Sequence, residues 1–118
     1  MNILFIGGGN MAAAIIGGLV AKGWPLSALH AVDVLPDALS RLEQRFGIGT
    51  SADATAAAPD AECIVLAVKP QQMREVAAAL APALGGQLII SIAAGIRSGD
   101  LARWLGPRAH VVRAMPNT

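Results

Sequence analysis

Residues 3–12 read Ile3-Leu4-Phe5-Ile6-Gly7-Gly8-Gly9-Asn10-Met11-Ala12, an apolar run that enters three glycines and leaves them with Ala12. A continuous apolar run of this length suits a central strand covered on both faces. Beyond the glycines, Met11, Ala12, Ile15, Ile16 and Leu19 recur at helical spacing. Gly23 then stands where a glycine that ends a helix belongs. Strand, glycine turn and helix in this order make Gly7-x-Gly9-x-x-Ala12 a phosphate-binding loop rather than a bare glycine pattern. Gly7 permits the tight turn, Gly9 lets the backbone approach a pyrophosphate, and a small residue at Ala12 lets helix and strand pack closely. The free N–H groups around Gly8, Asn10 and Met11 face the phosphates, helped by the helix dipole. A glycine turn in front of a core helix is the plainer alternative. A Walker A loop is excluded, because no Lys-Ser/Thr pair follows the glycines.

Outward from this loop the chain alternates short β-branched runs with helical stretches, the pattern of βαβ units and a parallel sheet. Leu29 to Val34 reads as a second strand, with Pro36 and Asp37 opening a helix whose apolar stripe is Leu39, Leu42 and Phe46. Ile48 to Ser51 is a weak third strand, and the Ala-rich stretch from Asp53 to Asp60 is ambiguous. Cys63 to Val68 is the clearest strand, ended by Pro70. Met73, Val76, Ala77 and Leu80 give the next helix its stripe up to Pro82. Leu88 to Ile92 is a strand, Ser98 is placed to cap a helix carrying Leu101, Trp104 and Leu105 inward, and Val111 to Met115 is the last strand. Asp33 supplies the acid expected about 20 residues after the loop, at the end of the second strand, where it accepts hydrogen bonds from ribose hydroxyls. An Asx turn leading into the Pro36 helix is the alternative for Asp33. The expected fold is therefore α/β, a Rossmann-type doubly wound, mostly parallel sheet with helices on both faces, forming one dinucleotide-binding domain over residues 1–118.

Composition narrows the function further. The chain has 118 residues, 54% of them hydrophobic and 14% charged, with a net charge of +1, which excludes a disordered segment. No basic surface points to nucleic acid, and with Phe5, Phe46, Trp24 and Trp104 as the only aromatics there is no stacking platform for single strands. Cys63 is the sole cysteine, so neither an internal disulfide nor a multi-cysteine metal site is available, and a buried apolar role is expected. No metal site is expected anywhere in the chain. The apolar run from Met11 to Ala21 has no Lys or Arg before it and is shorter than the roughly 20 residues that span a bilayer. A cytoplasmic protein with no membrane partner is the expectation.

Four segments carry a more specific likeness. They are Phe5-Ile6-Gly7-Gly8-Gly9-Asn10-Met11-Ala12, Leu66-Ala67-Val68-Lys69-Pro70-Gln71, Ser91-Ile92-Ala93-Ala94-Gly95 and Val111-Val112-Arg113-Ala114-Met115-Pro116-Asn117-Thr118. In this order and spread over the whole chain, they resemble the N-terminal dinucleotide-binding domain of pyrroline-5-carboxylate reductase. The resemblance implies NAD(P)H-dependent reduction of 1-pyrroline-5-carboxylate to proline, the last step of proline biosynthesis. It also implies a helical C-terminal domain, absent from this chain, that builds the dimer and most of the substrate pocket. The full-length protein would then be a homo-oligomer acting on a small molecule, and this part alone would not turn over.

Residue chemistry can be set beside the resemblance. Lys69 is a cation at a strand end, held extended by Pro70 and suited to a cofactor phosphate or ribose hydroxyl, with a solvated lysine as the alternative. In the family the Val-Lys-Pro segment lines the nicotinamide side, which assigns Val68, Lys69 and Pro70 to the cofactor. Ala93 and Ala94 are small enough to let the nicotinamide lie close. Asn117 has donor and acceptor groups for the carboxamide or the substrate, and is the single candidate for a catalytic position. Arg113 faces either the substrate or solvent. His30 and His110 are expected to precede strands at the opposite end from the ligand edge and receive no catalytic role.

Two departures from the family pattern concern the choice of cofactor. Many members place Asn-Arg where this chain has Asp33-Val34, and several carry an Asn near the adenine ribose where it has Ala54. The family's preference is NADPH, whereas Asp33 favours NADH. The competing functions are another Rossmann reductase of the 3-hydroxyacid dehydrogenase type and a non-catalytic dinucleotide-binding module.

Overall fold

A computed structural model describes residues 1–92, 98–107 and 109–113. The strands are β1 (Ile3–Ile6), β2 (Leu29–Val32), β3 (Gly49–Ser51), β4 (Cys63–Leu66), β5 (Leu88–Ser91) and β6 (His110–Arg113). Between them lie α1 (Asn10–Ala21), α2 (Pro36–Phe46), α3 (Ala54–Ala57), α4 (Pro70–Leu80) and α5 (Ser98–Leu105). The strands form one sheet in the order β3-β2-β1-β4-β5-β6. Every pairing is parallel, with Ile3 opposite Leu29 on one side and Cys63 on the other. All carboxyl ends therefore meet on one edge, and the order reverses between β1 and β4, the switch point where such sheets leave a crevice. The expected Rossmann architecture is present.

Alternation along the strands divides the core into two layers. Phe5, Ala31 and Val65 point to the face covered by Ala12 and Ile16 of α1 and Leu42 of α2. Leu4, Ile64, Leu66 and Ile89 point to the other face, under Met73, Ala77 and Leu80 of α4 and Leu101 and Leu105 of α5. Each fully buried leucine or isoleucine contributes about 1.5–3 kcal/mol by leaving water. Burying both faces of β1 and β4 is why those strands read as unbroken apolar runs. Cys63 is buried among the first group, as its sequence context implies, and burial pushes its thiol pKa up.

The structure adjusts several boundaries. The second strand ends at Val32, two residues before the expected Val34, whose side chain is 80% exposed. The last strand begins at His110 rather than Val111. His30 lies inside β2 instead of before it, opposite Leu4 and Gly49, because two rungs of the ladder form ahead of Ala31. Its place toward the amino end of the sheet is as expected. The ambiguous stretch after Asp53 resolves into α3 and a 3-10 turn over Ala58–Asp60. Gly23 has φ +89 directly after the Lys22 cap of α1, the left-handed conformation that ends a helix. Among the described residues no helix is long and apolar enough to cross a membrane.

Candidate functional site

The site forms where β1 passes into α1. Gly7 has φ +103, and a methyl group there would stand 2.7 Å from the Ala67 carbonyl oxygen. Both the backbone conformation and the available space therefore demand glycine. The turn is sewn into the sheet by Gly7 N–H donating to the Val32 carbonyl at 2.8 Å and Ala67 N–H donating to the Ile6 carbonyl at 2.8 Å. Gly8 is buried, and a methyl group on it would lie 3.3 Å from Leu42 Cδ1 and 3.4 Å from Ala38 Cβ.

Gly9 differs from both. It begins the helix with φ −82, and nothing lies within 4 Å of where its methyl group would be. No side chain caps α1 at this end, and its first turn carries no acid. The leading N–H groups of the helix are left for an outside acceptor, an arrangement suited to anionic oxygen. Ala12 is buried in the same core layer as Phe5 and Ala31, where a small residue lets helix and sheet pack closely.

Asp33 stands one residue past β2, and both of its carboxylate oxygens are in use. Oδ2 accepts from Gly8 N–H at 2.7 Å, and Oδ1 accepts from Leu35 N–H at 2.9 Å. Its own N–H donates to the Ser51 carbonyl at 3.3 Å. The Leu35 bond is the Asx turn that steers the chain into Pro36, which explains the early end of the strand. A carboxylate oxygen has capacity for about two hydrogen bonds. Each oxygen of Asp33 thus keeps room for a second donor, so the turn and a ribose contact are compatible.

Across the switch point, Lys69 caps α4 with φ −67 and ψ 149, the extended conformation its Pro70 neighbour requires. Its side chain is exposed, and it makes no ion pair among the described residues, where the pair found is Asp100–Arg103. Val68 is half-buried against the α4 layer, and Pro70 occupies the first turn of that helix, exposed. The structure thus brings Gly7, Gly8, Gly9, Asn10, Asp33, Val68, Lys69 and Pro70 to one edge of the sheet. The expectations on Ala93, Ala94 and Asn117 lie outside the described residues, as do those on the side chains of Ser98 and Arg113.

Two features of this edge escaped the sequence reading. Ser91 ends β5 with its hydroxyl buried and no hydrogen-bond partner among the described residues. A serine closing an otherwise apolar strand was the available signal. The second is a cleft of about 350 Å³ beside the glycines, lined by Arg41 and Arg45 of α2. A separate cleft of about 360 Å³ lies over β2 and β3 near α3, where His30 Nε2 is 3.0 Å from Ser51 Oγ. Among the described residues no group of His, Cys, Asp and Glu is arranged to hold a metal ion.

Comparison with known proteins places this geometry. Residues 2–95 match the family described as NADP oxidoreductase coenzyme F420-dependent. The chain belongs to that family. Among its relatives, the pyrroline-5-carboxylate reductase of Pseudomonas aeruginosa is 49% identical over 118 residues, covering 99% of this chain and 43% of the relative. The solved pyrroline-5-carboxylate reductase of Coxiella burnetii superposes with a TM-score of 0.94 at 39% identity, over 99% of this chain and 44% of that one. The Plasmodium falciparum pyrroline carboxylate reductase, solved with NADP bound, shares the fold at a TM-score of 0.86 and 24% identity, over 99% of this chain and 42% of that one. The resemblance read from the four segments therefore extends along nearly the whole chain. This family member spans less than half the length of the reductases it matches.

Proposed function

We propose that this chain is the nucleotide-binding part of an NAD(P)H-dependent pyrroline-5-carboxylate reductase, which forms proline from 1-pyrroline-5-carboxylate. The observation that carries the proposal is the open, uncapped start of α1 at Gly9, fixed by Gly7 and set at the switch point of the sheet. The family's description as an NADP oxidoreductase and the names of the relatives supply the chemistry. The remaining length of those relatives corresponds to the helical dimerisation and substrate domain that the resemblance implies. A homo-oligomer in the cytoplasm follows from the same reading.

The residues fit a dinucleotide. The N–H groups after Gly9 would hold the pyrophosphate, with Gly8, Asn10 and Met11 shaping the loop and Ala12 setting its depth. Asp33 would accept from the adenosine ribose through the free capacity of its two oxygens. Lys69 would contact a phosphate or ribose hydroxyl, Val68 and Pro70 would present an apolar wall to the nicotinamide, and Ala93 would leave it room. Asn117 would orient the carboxamide or the substrate. When bound, the reduced nicotinamide supplies a hydride to the ring C=N carbon, and the chain contributes orientation. The test is steady-state kinetics on the protein extended to the length of its relatives. Oxidation of NADPH or NADH that depends on 1-pyrroline-5-carboxylate is expected, and its absence with both nucleotides would sink the assignment.

A further inference from the structure

The surface between α1 and α2 carries a feature that the glycine loop does not need for folding. Arg41 and Arg45 lie one helical turn apart on α2 and line the same cleft as Gly9, Asn10, Ala13 and Gln44. The cleft measures about 350 Å³, and its lining holds two guanidinium groups and no carboxylate. Neither arginine makes an ion pair or a side-chain hydrogen bond among the described residues. Of the acids on α2, Glu43 lies on another face and accepts from the Thr50 hydroxyl. Asp37, one turn before Arg41, makes no ion pair with it among the described residues. Arg45 is further held by its guanidinium, which sits 5.0 Å over the Phe46 ring. In a chain of net charge +1, two unpaired cations beside an uncapped helix start form a local concentration of positive charge.

From this arrangement we infer that the α1–α2 cleft is an anion site in which Arg41 and Arg45 take a phosphate group of the dinucleotide. The inference rests on the nucleotide-binding reading above and adds the residues that set its affinity. A guanidinium pairs with phosphate through two parallel N–H bonds, and Arg41 and Arg45 approach the loop from the side opposite Lys69. Two phosphate sources share this chemistry: the pyrophosphate, common to both nucleotides, and the phosphomonoester on the ribose of NADP. Where Arg41 and Arg45 take the phosphomonoester, their positive charge offsets its repulsion by Asp33, so an acid at the end of β2 would not by itself exclude NADP.

The deciding experiment titrates the protein extended to the length of its relatives with NADP⁺ and with NAD⁺ by calorimetry, for the unaltered protein, Arg41→Gln, Arg45→Gln and the double variant. Both positions are exposed on α2, and circular dichroism checks that each variant folds. Affinity in the double variant should fall by roughly tenfold to a hundredfold, the scale of losing one or two charge-assisted hydrogen bonds. A loss confined to NADP⁺ assigns the cleft to the phosphomonoester, and an equal loss for both nucleotides assigns it to the pyrophosphate. Unchanged affinities in folded variants, with the unaltered protein still binding, overturn the inference and leave the nucleotide reading intact. Failure of the unaltered protein to bind either nucleotide overturns both.

Discussion

Asp33 Oδ2 accepts a hydrogen bond from the Gly8 N–H across 2.7 Å, tying the end of β2 to the glycine loop after β1. The same carboxylate takes the Leu35 N–H, so one side chain fixes the loop and starts the turn into α2. The residue proposed to select the nucleotide is therefore also a brace for the loop proposed to hold its phosphates.

Asp33→Asn separates these roles. Asparagine has one acceptor oxygen in place of two, so one of the two N–H bonds is lost. Urea denaturation should show a loss of about 1 kcal/mol. Nucleotide titration should show NADPH gaining on NADH, since a negative charge beside the ribose is removed. An unchanged ratio would mean that Asp33 does not meet the ribose.

Gly7→Ala should be far more damaging than its size implies. The φ of +103 costs an L-residue roughly 1–3 kcal/mol, and the added methyl group would press on the Ala67 carbonyl at 2.7 Å. Reduced soluble yield and a lowered thermal midpoint are expected. A midpoint equal to that of the unaltered chain would show that the turn relaxes without cost.

Leu42→Ala tests the link between core and loop. Leu42 is fully buried in the α1–α2 layer, and its Cδ1 lies against Gly8. The cavity should cost about 2–5 kcal/mol. Faster amide exchange at Gly8 than at residues in β5 would show that the loosening reaches the glycine loop.

Cys63 gives a pH signature. Burial raises its thiol pKa above the ordinary 9.0, so the folded protein keeps the proton after the unfolded chain has lost it. Its contribution is complete below pH 9.0 and is lost as pH rises from there through the folded value. Stability measured across that window should fall with a slope that Cys63→Ala lessens. In the native state the thiol should react slowly with an aromatic disulfide reagent and rapidly once unfolded.

Much of the architecture is legible in the residues themselves. The stripe Met73, Val76, Ala77 and Leu80 repeats at the helical period, and the short unbroken apolar runs of β1 and β4 have the length of buried strands. The stretch after Asp53 is different, because a run of alanines has no apolar face to count. Only the Asp53 carboxylate, accepting from the Thr55 and Ala56 N–H groups, marks where α3 starts. The turn at Gly7 and the packing of Ala12 are legible because they depend on neighbours in sequence. The bond from Gly8 to Asp33 spans 25 residues, and the cleft that Arg41 and Asn10 both line depends on how α2 packs on α1. Such contacts exist only once the sheet is assembled, so no spacing rule announces them.

Gly7 and Gly9 are spelled alike and answer to different constraints. At Gly7 an added methyl group collides with the protein's own backbone, whereas at Gly9 it meets empty space in a conformation open to any residue. Selection for folding alone would retain the first and let the second drift. Gly9 is thus a gauge of whether a lineage still uses the site. In the laboratory, Gly9→Ala is expected to keep the native shape while obstructing the proposed phosphate contact.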